Sequence, residues 1–133
     1  MRKEIALSLF LGTLATALAY WLFLGHRSDY LGHYLAGLGA TLGLLTLFLL
    51  FTNKALAWET AAIALIAIGL GFVTEFSIFR LALFDPVDFC NQSLGACVAG
   101  ACMLGARRDR KLIIATGTLS LILVVGGFVF AFA

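Results

Sequence analysis

The chain has 133 residues, of which 62% are hydrophobic and 12% are charged, with a formal net charge of +2 and a mean hydropathy of +1.06. Soluble domains carry about 25% charged residues, so this composition excludes a water-soluble monomer. A membrane-spanning helix needs about 20 apolar residues, so the chain has room for five or six spans at most and for no soluble catalytic domain. Its nine Lys and Arg are dispersed, which excludes the basic patch that nucleic-acid binding needs.

Apolar runs in chain order predict five membrane-spanning helices. The first, at residues 5–24, follows a charged start and resembles a signal peptide. It is longer than the usual apolar region of about 7–15 residues, and Tyr20 and Trp21 suit a membrane interface, so we predict a retained span. Four further runs follow at residues 32–51, 58–79, 86–106 and 112–133. The predicted fold is a single-domain, all-α integral membrane helical bundle.

The basic residues predict the orientation of this bundle. With a cytoplasmic N-terminus, seven basic residues fall on the cytoplasmic side and two on the other side. The first set comprises Arg2, Lys3, Lys54, Arg107, Arg108, Arg110 and Lys111, and the second comprises Arg27 and Arg80. Basic residues concentrate in cytoplasmic loops, so we predict a cytoplasmic N-terminus and a non-cytoplasmic C-terminus.

Small residues predict the helix contacts. The second segment contains Gly39-x-x-x-Gly43, and the fourth contains Gly95 and Ala96-x-x-x-Gly100. Helices in lipid approach closely where small residues face each other. We therefore predict packing contacts at these four glycines, with the second and fourth segments as the central pair.

Polar residues at the start of the second segment form the first part of a candidate site. Asp29 and His33 are four residues apart and share one helical face. A carboxylate beside a histidine can hold its charge or tautomer. Alternatively, Ser28 or Asp29 caps the helix start, and His33 lies at the headgroup boundary.

Glu75 is a candidate because of its depth in the third segment. It lies sixteen residues after Glu59, about 24 Å along a helix, near the outer boundary of an apolar layer about 30 Å thick. A carboxylate at this depth is costly unless it is paired, protonated or hydrated. Its predicted partners are Arg80, Arg27 and His33. The alternative is a structural salt bridge between the second and third segments.

The start of the fourth segment carries further polar residues. Asp85 suits the N-cap and Pro86 the first helical position. Asp88, Asn91 and Gln92 then share one stripe of an otherwise apolar helix. Capping does not explain this stripe, but hydrogen bonds between helices would explain Asn91 and Gln92.

The chain resembles the VanZ-like membrane proteins at residues 29–100. The resemblance rests on Asp29-x-x-x-His33-Tyr34, Glu75, Arg80, Asp88, Asn91 and Gly95-Ala96-x-x-x-Gly100. The chain departs from the family at Ile78, which stands where the family has Gln, and in the short spacings from Glu75 to Arg80 and from Asp88 to Asn91. The resemblance implies a small helical bundle in a bacterial cytoplasmic membrane, from a family linked to tolerance of the glycopeptide antibiotic teicoplanin.

Three functions follow from these observations. In the first, a non-catalytic VanZ-like protein binds a lipid headgroup, an envelope component or a partner protein through an outer-face polar cluster. This cluster comprises Asp29, His33, Glu75, Arg80, Asp88 and Asn91. In the second, the chain is an accessory subunit of a photosynthetic or respiratory complex, and its twelve Phe contact lipid, pigment or partner helices. In the third, it is an intramembrane lipid-modifying enzyme that uses His33. We predict no cofactor and no metal site.

Overall fold

The fold is known from a computed structural model, which describes residues 11, 14–15, 18–19, 21–23, 28–78 and 84–132. The described residues between 11 and 23 are helical. Four helices follow: α1 (Ser28–Phe51), α2 (Ala57–Val73), α3 (Pro86–Met103) and α4 (Arg110–Ala131). A π-helix, Thr74–Ile78, continues α2. No strand occurs within the described residues, which confirms the predicted all-α fold.

Three of these segments are long and apolar enough to cross a membrane. They are Ser28–Phe51, Ala57–Phe76 and Arg110–Ala131. The predicted span at 86–106 is helical but is not among these three segments. Asp88, Asn91 and Gln92 make its first turns polar and lower its mean hydropathy. Most of the predicted first span, at residues 5–24, lies outside the described residues.

Three helix bounds differ from the predicted ones. α1 begins at Ser28, before the predicted start at residue 32, so the Asp29 carboxylate lies in its first turn. α3 ends at Met103, before residue 106, because Gly105 adopts the left-handed region (φ 72°). α4 begins at Arg110 because the Asp109 side chain accepts a hydrogen bond from Leu112 N at 3.0 Å.

α1 is the central helix and packs most extensively against α4 and α3. Its contacts require glycine on both partners. A Cβ on Gly95 of α3 would lie 2.7 Å from the backbone N of Leu38 and closer still to the carbonyl oxygen of Tyr34. A Cβ on Gly127 of α4 would lie 2.7 Å from the backbone N of Ala36. The backbones therefore touch at both interfaces.

The four predicted packing glycines serve three different interfaces. Gly39 and Gly43 face α4, and Ser120 Oγ of α4 donates a hydrogen bond to the Gly39 carbonyl at 2.7 Å. Gly95 contacts α1, and Gly100 faces α2. The predicted central pair is thus only part of the arrangement, because α1 divides its small residues between α3 and α4.

The loops before α2 and before α4 pair with each other. Ala55 N donates to Ala106 O, and Arg108 N donates to Asn53 O, each at 2.9 Å. These bonds flank an antiparallel bridge, and they join the α1–α2 pair to the α3–α4 pair. We call this the bridge end of the bundle. The opposite end, where α1 and α3 begin, is the polar end.

Candidate functional site

His33 lies between two carboxylates at the polar end. Its Nδ1 is 3.3 Å from Glu75 Oε1, and its Nε2 is 3.6 Å from Asp88 Oδ2. The three side chains are between 13% and 20% exposed. We call them the His33 triad. The triad connects α1, the π-helical end of α2 and the first turn of α3.

The position of Glu75 depends on the π-helix. In a π-helix the backbone bonds run from i to i+5, so the turn holds an extra residue and the face of the helix changes; such turns are frequent at functional sites. Glu75 is the second residue of this turn. The preceding Thr74 hydroxyl donates to the Gly71 carbonyl at 2.8 Å. The α-helical register assumed in the sequence analysis does not describe this segment.

The position of Asp88 depends on the start of α3. The Asp85 carboxylate accepts a hydrogen bond from Val87 N at 2.8 Å, and Pro86 occupies the first helical turn. The predicted N-cap is confirmed. Asp88 therefore lies in the first turn, where the helix dipole favours negative charge. Its Oδ1 atom is buried and has no hydrogen-bond partner among the described residues.

Removing this cap is expected to destabilise the protein moderately. Asp85→Ala should lower the free energy of unfolding by about 1 kcal/mol, because the Val87 amide loses its acceptor. Asp85→Asn keeps an acceptor and should cost much less. Thermal unfolding in one mild detergent compares the two variants. Equal losses would show that the charge of Asp85, and not the cap, stabilises this helix start.

The charge state of His33 decides how the triad holds together. A neutral imidazole has one N–H, whereas an imidazolium has two and can donate to a carboxylate on each side. His33 faces a carboxylate with each nitrogen. The arrangement therefore fits a protonated His33 between two ionised carboxylates, or a neutral His33 with one carboxyl protonated.

A cavity of about 530 Å³ opens beside the triad. Four carboxylates and one imidazole lie at its polar end, and its remaining walls are mostly apolar. The acidic residues are Asp29, Glu75, Asp85 and Asp88, and the apolar walls include Ala36, Ala40, Leu44, Leu70, Val124 and Phe128. From Asp29 to Leu44 the cavity follows α1 over about 22 Å. Polar groups at one end of a long apolar space are suited to an amphiphile.

The six residues of the predicted outer-face cluster differ in their position relative to the cavity. Asp29, His33, Glu75 and Asp88 line the cavity. Asn91 is buried, with 7% of its surface exposed, and does not line it. Arg80 lies outside the described residues.

Sequence reasoning missed part of the site. Gln92 and Asp85 are not part of the predicted cluster, but both line the cavity. The wall formed by α4, which includes Val124 and Phe128, carries no polar residue that could have marked it. Within the described residues, no group of three or more His, Cys, Asp or Glu is arranged to hold a metal ion.

Comparisons of the chain with protein-family models, with curated proteins and with solved structures find no match. The resemblance to the VanZ-like family at Asp29, His33 and the later polar residues therefore stays a prediction. The geometry of the polar end and its cavity is the basis on which function is argued below.

Proposed function

We propose that this chain is a non-catalytic, VanZ-like, multi-pass protein of a bacterial cytoplasmic membrane that binds a lipid. The headgroup contacts the polar end, and the hydrocarbon chain occupies the cavity between α1, α2 and α4. The polar end faces away from the cytoplasm, as the distribution of basic residues predicts. The observation that carries the proposal is the His33 triad at one end of a long apolar cavity.

The properties of the triad support binding in preference to a purely structural role. Ionisable groups within membrane segments are costly and are usually functional. Asp88 Oδ1 is buried with an unused acceptor position. A cavity with mainly apolar walls and a few convergent polar groups is the usual form of a small-molecule site.

Filling the apolar part of the cavity is the test of lipid binding. Ala40 lines the cavity and is exposed, outside the hydrophobic core. Ala40→Phe should therefore obstruct the space proposed for the hydrocarbon chain of the lipid without disturbing the core. We expect native mass spectrometry of protein from mild detergent to show one retained lipid per wild-type chain and at least tenfold less on Ala40→Phe.

The matched control is Ala61→Phe. Ala61 is exposed on α2 and does not line the cavity, so this variant should retain lipid like the wild type. Equal lipid retention by the wild type, Ala40→Phe and Ala61→Phe would contradict the proposed function.

A second candidate function, that of a subunit in a larger complex, is favoured by the surface of α4. Only 11% of the most apolar part of this helix is buried within the chain. Leu121, Ile122, Val125 and Val129 are each more than half exposed. Such a face can contact lipid or a neighbouring helix, and the same native mass measurement distinguishes them. A second polypeptide that remains bound in constant ratio would favour the subunit function.

A further inference from the structure

We propose that the bridge end binds the phosphate of an anionic phospholipid between the side chains of Lys54 and Arg107. This inference rests on the membrane location proposed above. It concerns the end of the bundle opposite the His33 triad, so it does not depend on the cavity. It combines three observations, which are two cationic side chains side by side, the lack of a paired carboxylate among the described residues, and exposed apolar side chains at the same end.

Lys54 and Arg107 lie directly opposite each other, although they are far apart in the sequence. They form an antiparallel bridge, and the two backbone hydrogen bonds between the loops flank it on either side. This arrangement makes them a non-hydrogen-bonded pair, in which the Cα atoms are about 4.5 Å apart and the side chains are closest. Both cationic side chains therefore extend from the same face of the paired loops.

The charges of this pair are not compensated within the described residues. Like charges directly opposite each other on paired strands are destabilising. Lys54 and Arg107 are both exposed, and neither forms an ion pair with a described carboxylate. The described carboxylates at this end, Glu59 and Asp109, accept backbone hydrogen bonds at the starts of α2 and α4. A repulsion thus remains that an anion between the two side chains would relieve.

Three further basic residues surround the pair with positive charge. Arg108, Arg110 and Lys111 are exposed, so the bridge end has five basic residues against two acidic ones among the described residues. Arg110 and Lys111 lie in the first turn of α4, where the helix dipole disfavours cations. Their charges therefore do not stabilise α4, but they add to the positive potential that attracts an anion.

The apolar surface at this end favours a lipid over a soluble phosphate. Phe51, Leu56 and Trp58 are exposed here, and Trp is enriched where a membrane meets water. They offer contacts for hydrocarbon beside a headgroup at the bridge. Anionic leaflets attract basic residues next to spanning helices, by about fivefold per residue. A zwitterionic lipid would bring its own cation into this positive region, so we expect the site to select a lipid with net negative charge.

The test compares phospholipids that differ only in the headgroup. Protein in neutral detergent is titrated with phosphatidylglycerol or phosphatidylcholine of identical chains, and native mass spectrometry gives the dissociation constant of each. We expect phosphatidylglycerol to bind at least fivefold more tightly, and added salt should reduce this preference because it screens exposed charges. Glycerol 3-phosphate, a probe without hydrocarbon chains, should bind at least tenfold more weakly than phosphatidylglycerol.

Three variants locate the phosphate. Lys54→Gln/Arg107→Gln should reduce the preference for phosphatidylglycerol to less than twofold. Asn53→Lys/Lys54→Asn keeps the composition and charge of the loop but moves the cation by one position, to the opposite face of an extended segment, and should reduce the preference as much. The control, Lys54→Arg, keeps a cation opposite Arg107 and should bind like the wild type.

Thermal unfolding verifies that the neutral variant is folded. The hydrogen bonds that pair the loops join backbone atoms, and the substitution removes a repulsion. Lys54→Gln/Arg107→Gln should therefore unfold in pure detergent at the temperature of the wild type or above it. Phosphatidylglycerol should raise the unfolding temperature of the wild type and leave that of the variant unchanged. An equal rise in both proteins would contradict a site at the bridge.

Three binding results would overturn the inference. Equal affinity for the two phospholipids would remove the anionic headgroup. A preference that survives in Asn53→Lys/Lys54→Asn would replace the site by attraction to the overall charge of this end. Glycerol 3-phosphate that binds as tightly as phosphatidylglycerol would remove the lipid. The proposed function is tested separately, because lipid in the cavity is lost from Ala40→Phe and kept by Lys54→Gln/Arg107→Gln.

Discussion

Gly95→Ala is expected to lower the free energy of unfolding by about 1–3 kcal/mol, although it adds a single methyl group. The new Cβ would lie 2.7 Å from the backbone N of Leu38 and would also overlap the Tyr34 carbonyl. Both obstacles are backbone atoms of α1, so no change of rotamer relieves the overlap, and α1 and α3 must separate. Equilibrium unfolding in mixed micelles measures the loss.

The control for this variant is Gly69→Ala, which makes the same chemical change on α2. A Cβ at Gly69 meets nothing within 4 Å. Alanine favours a helix over glycine by about 0.8–1 kcal/mol, so this variant should be as stable as the wild type or more stable. If the two substitutions change stability by the same amount and in the same direction, the close backbone contact between α1 and α3 is not a determinant of the fold.

Removing His33 alone is expected to cost more than removing the whole triad. His33→Ala leaves the carboxyl groups of Glu75 and Asp88 without the imidazole that lies between them, and removing one partner of a buried ion pair costs about 3–5 kcal/mol. Since the three side chains keep 13–20% exposure, we expect about 2 kcal/mol. Replacing all three by apolar residues, as His33→Leu/Glu75→Met/Asp88→Leu, removes the desolvation cost together with the attraction.

We therefore expect the triple variant to be at least as stable as the wild type and to have lost lipid binding. Unfolding in mixed micelles and native mass spectrometry give the two measurements on the same samples. A triple variant as unstable as His33→Ala would identify the triad as a structural clamp between helices, which is the alternative that the sequence leaves open for Glu75.

The convergence of the polar residues was predictable because polar groups in apolar helices need partners. Asp29 and His33 share a helical face, and short loops place the start of the second segment and the end of the third at one end of a bundle. The Asp85 cap was predictable from Asp-Pro alone, since proline suits the first helical turn. These inferences use the spacing of residues along a helix and the charge and hydrogen-bonding capacity of their side chains, both of which can be read from the sequence.

The sequence does not predict which side of each helix contacts which neighbouring helix, because helices that are apolar on all sides have no periodic pattern of polar and apolar residues. Gly39 therefore faces α4 and Gly95 faces α1, although both belong to similar small-residue patterns. Asn91 and Gln92 are adjacent, yet only Gln92 reaches the cavity, because adjacent residues of an α-helix point about 100° apart.

The paired loops at the bridge end have a mechanical consequence for the whole bundle. Backbone hydrogen bonds from Ala55 to Ala106 and from Arg108 to Asn53 hold the two helical pairs at one end, so any spreading of the bundle is a pivot about that point. In such a motion the displacement of the helices grows with distance from the paired loops. The carboxylates of Glu75 and Asp88 lie at the opposite end of the bundle, where this displacement is largest. The contacts of His33 with both carboxylates lie at this far end, so they oppose a separation of the helices more effectively than contacts close to the paired loops would.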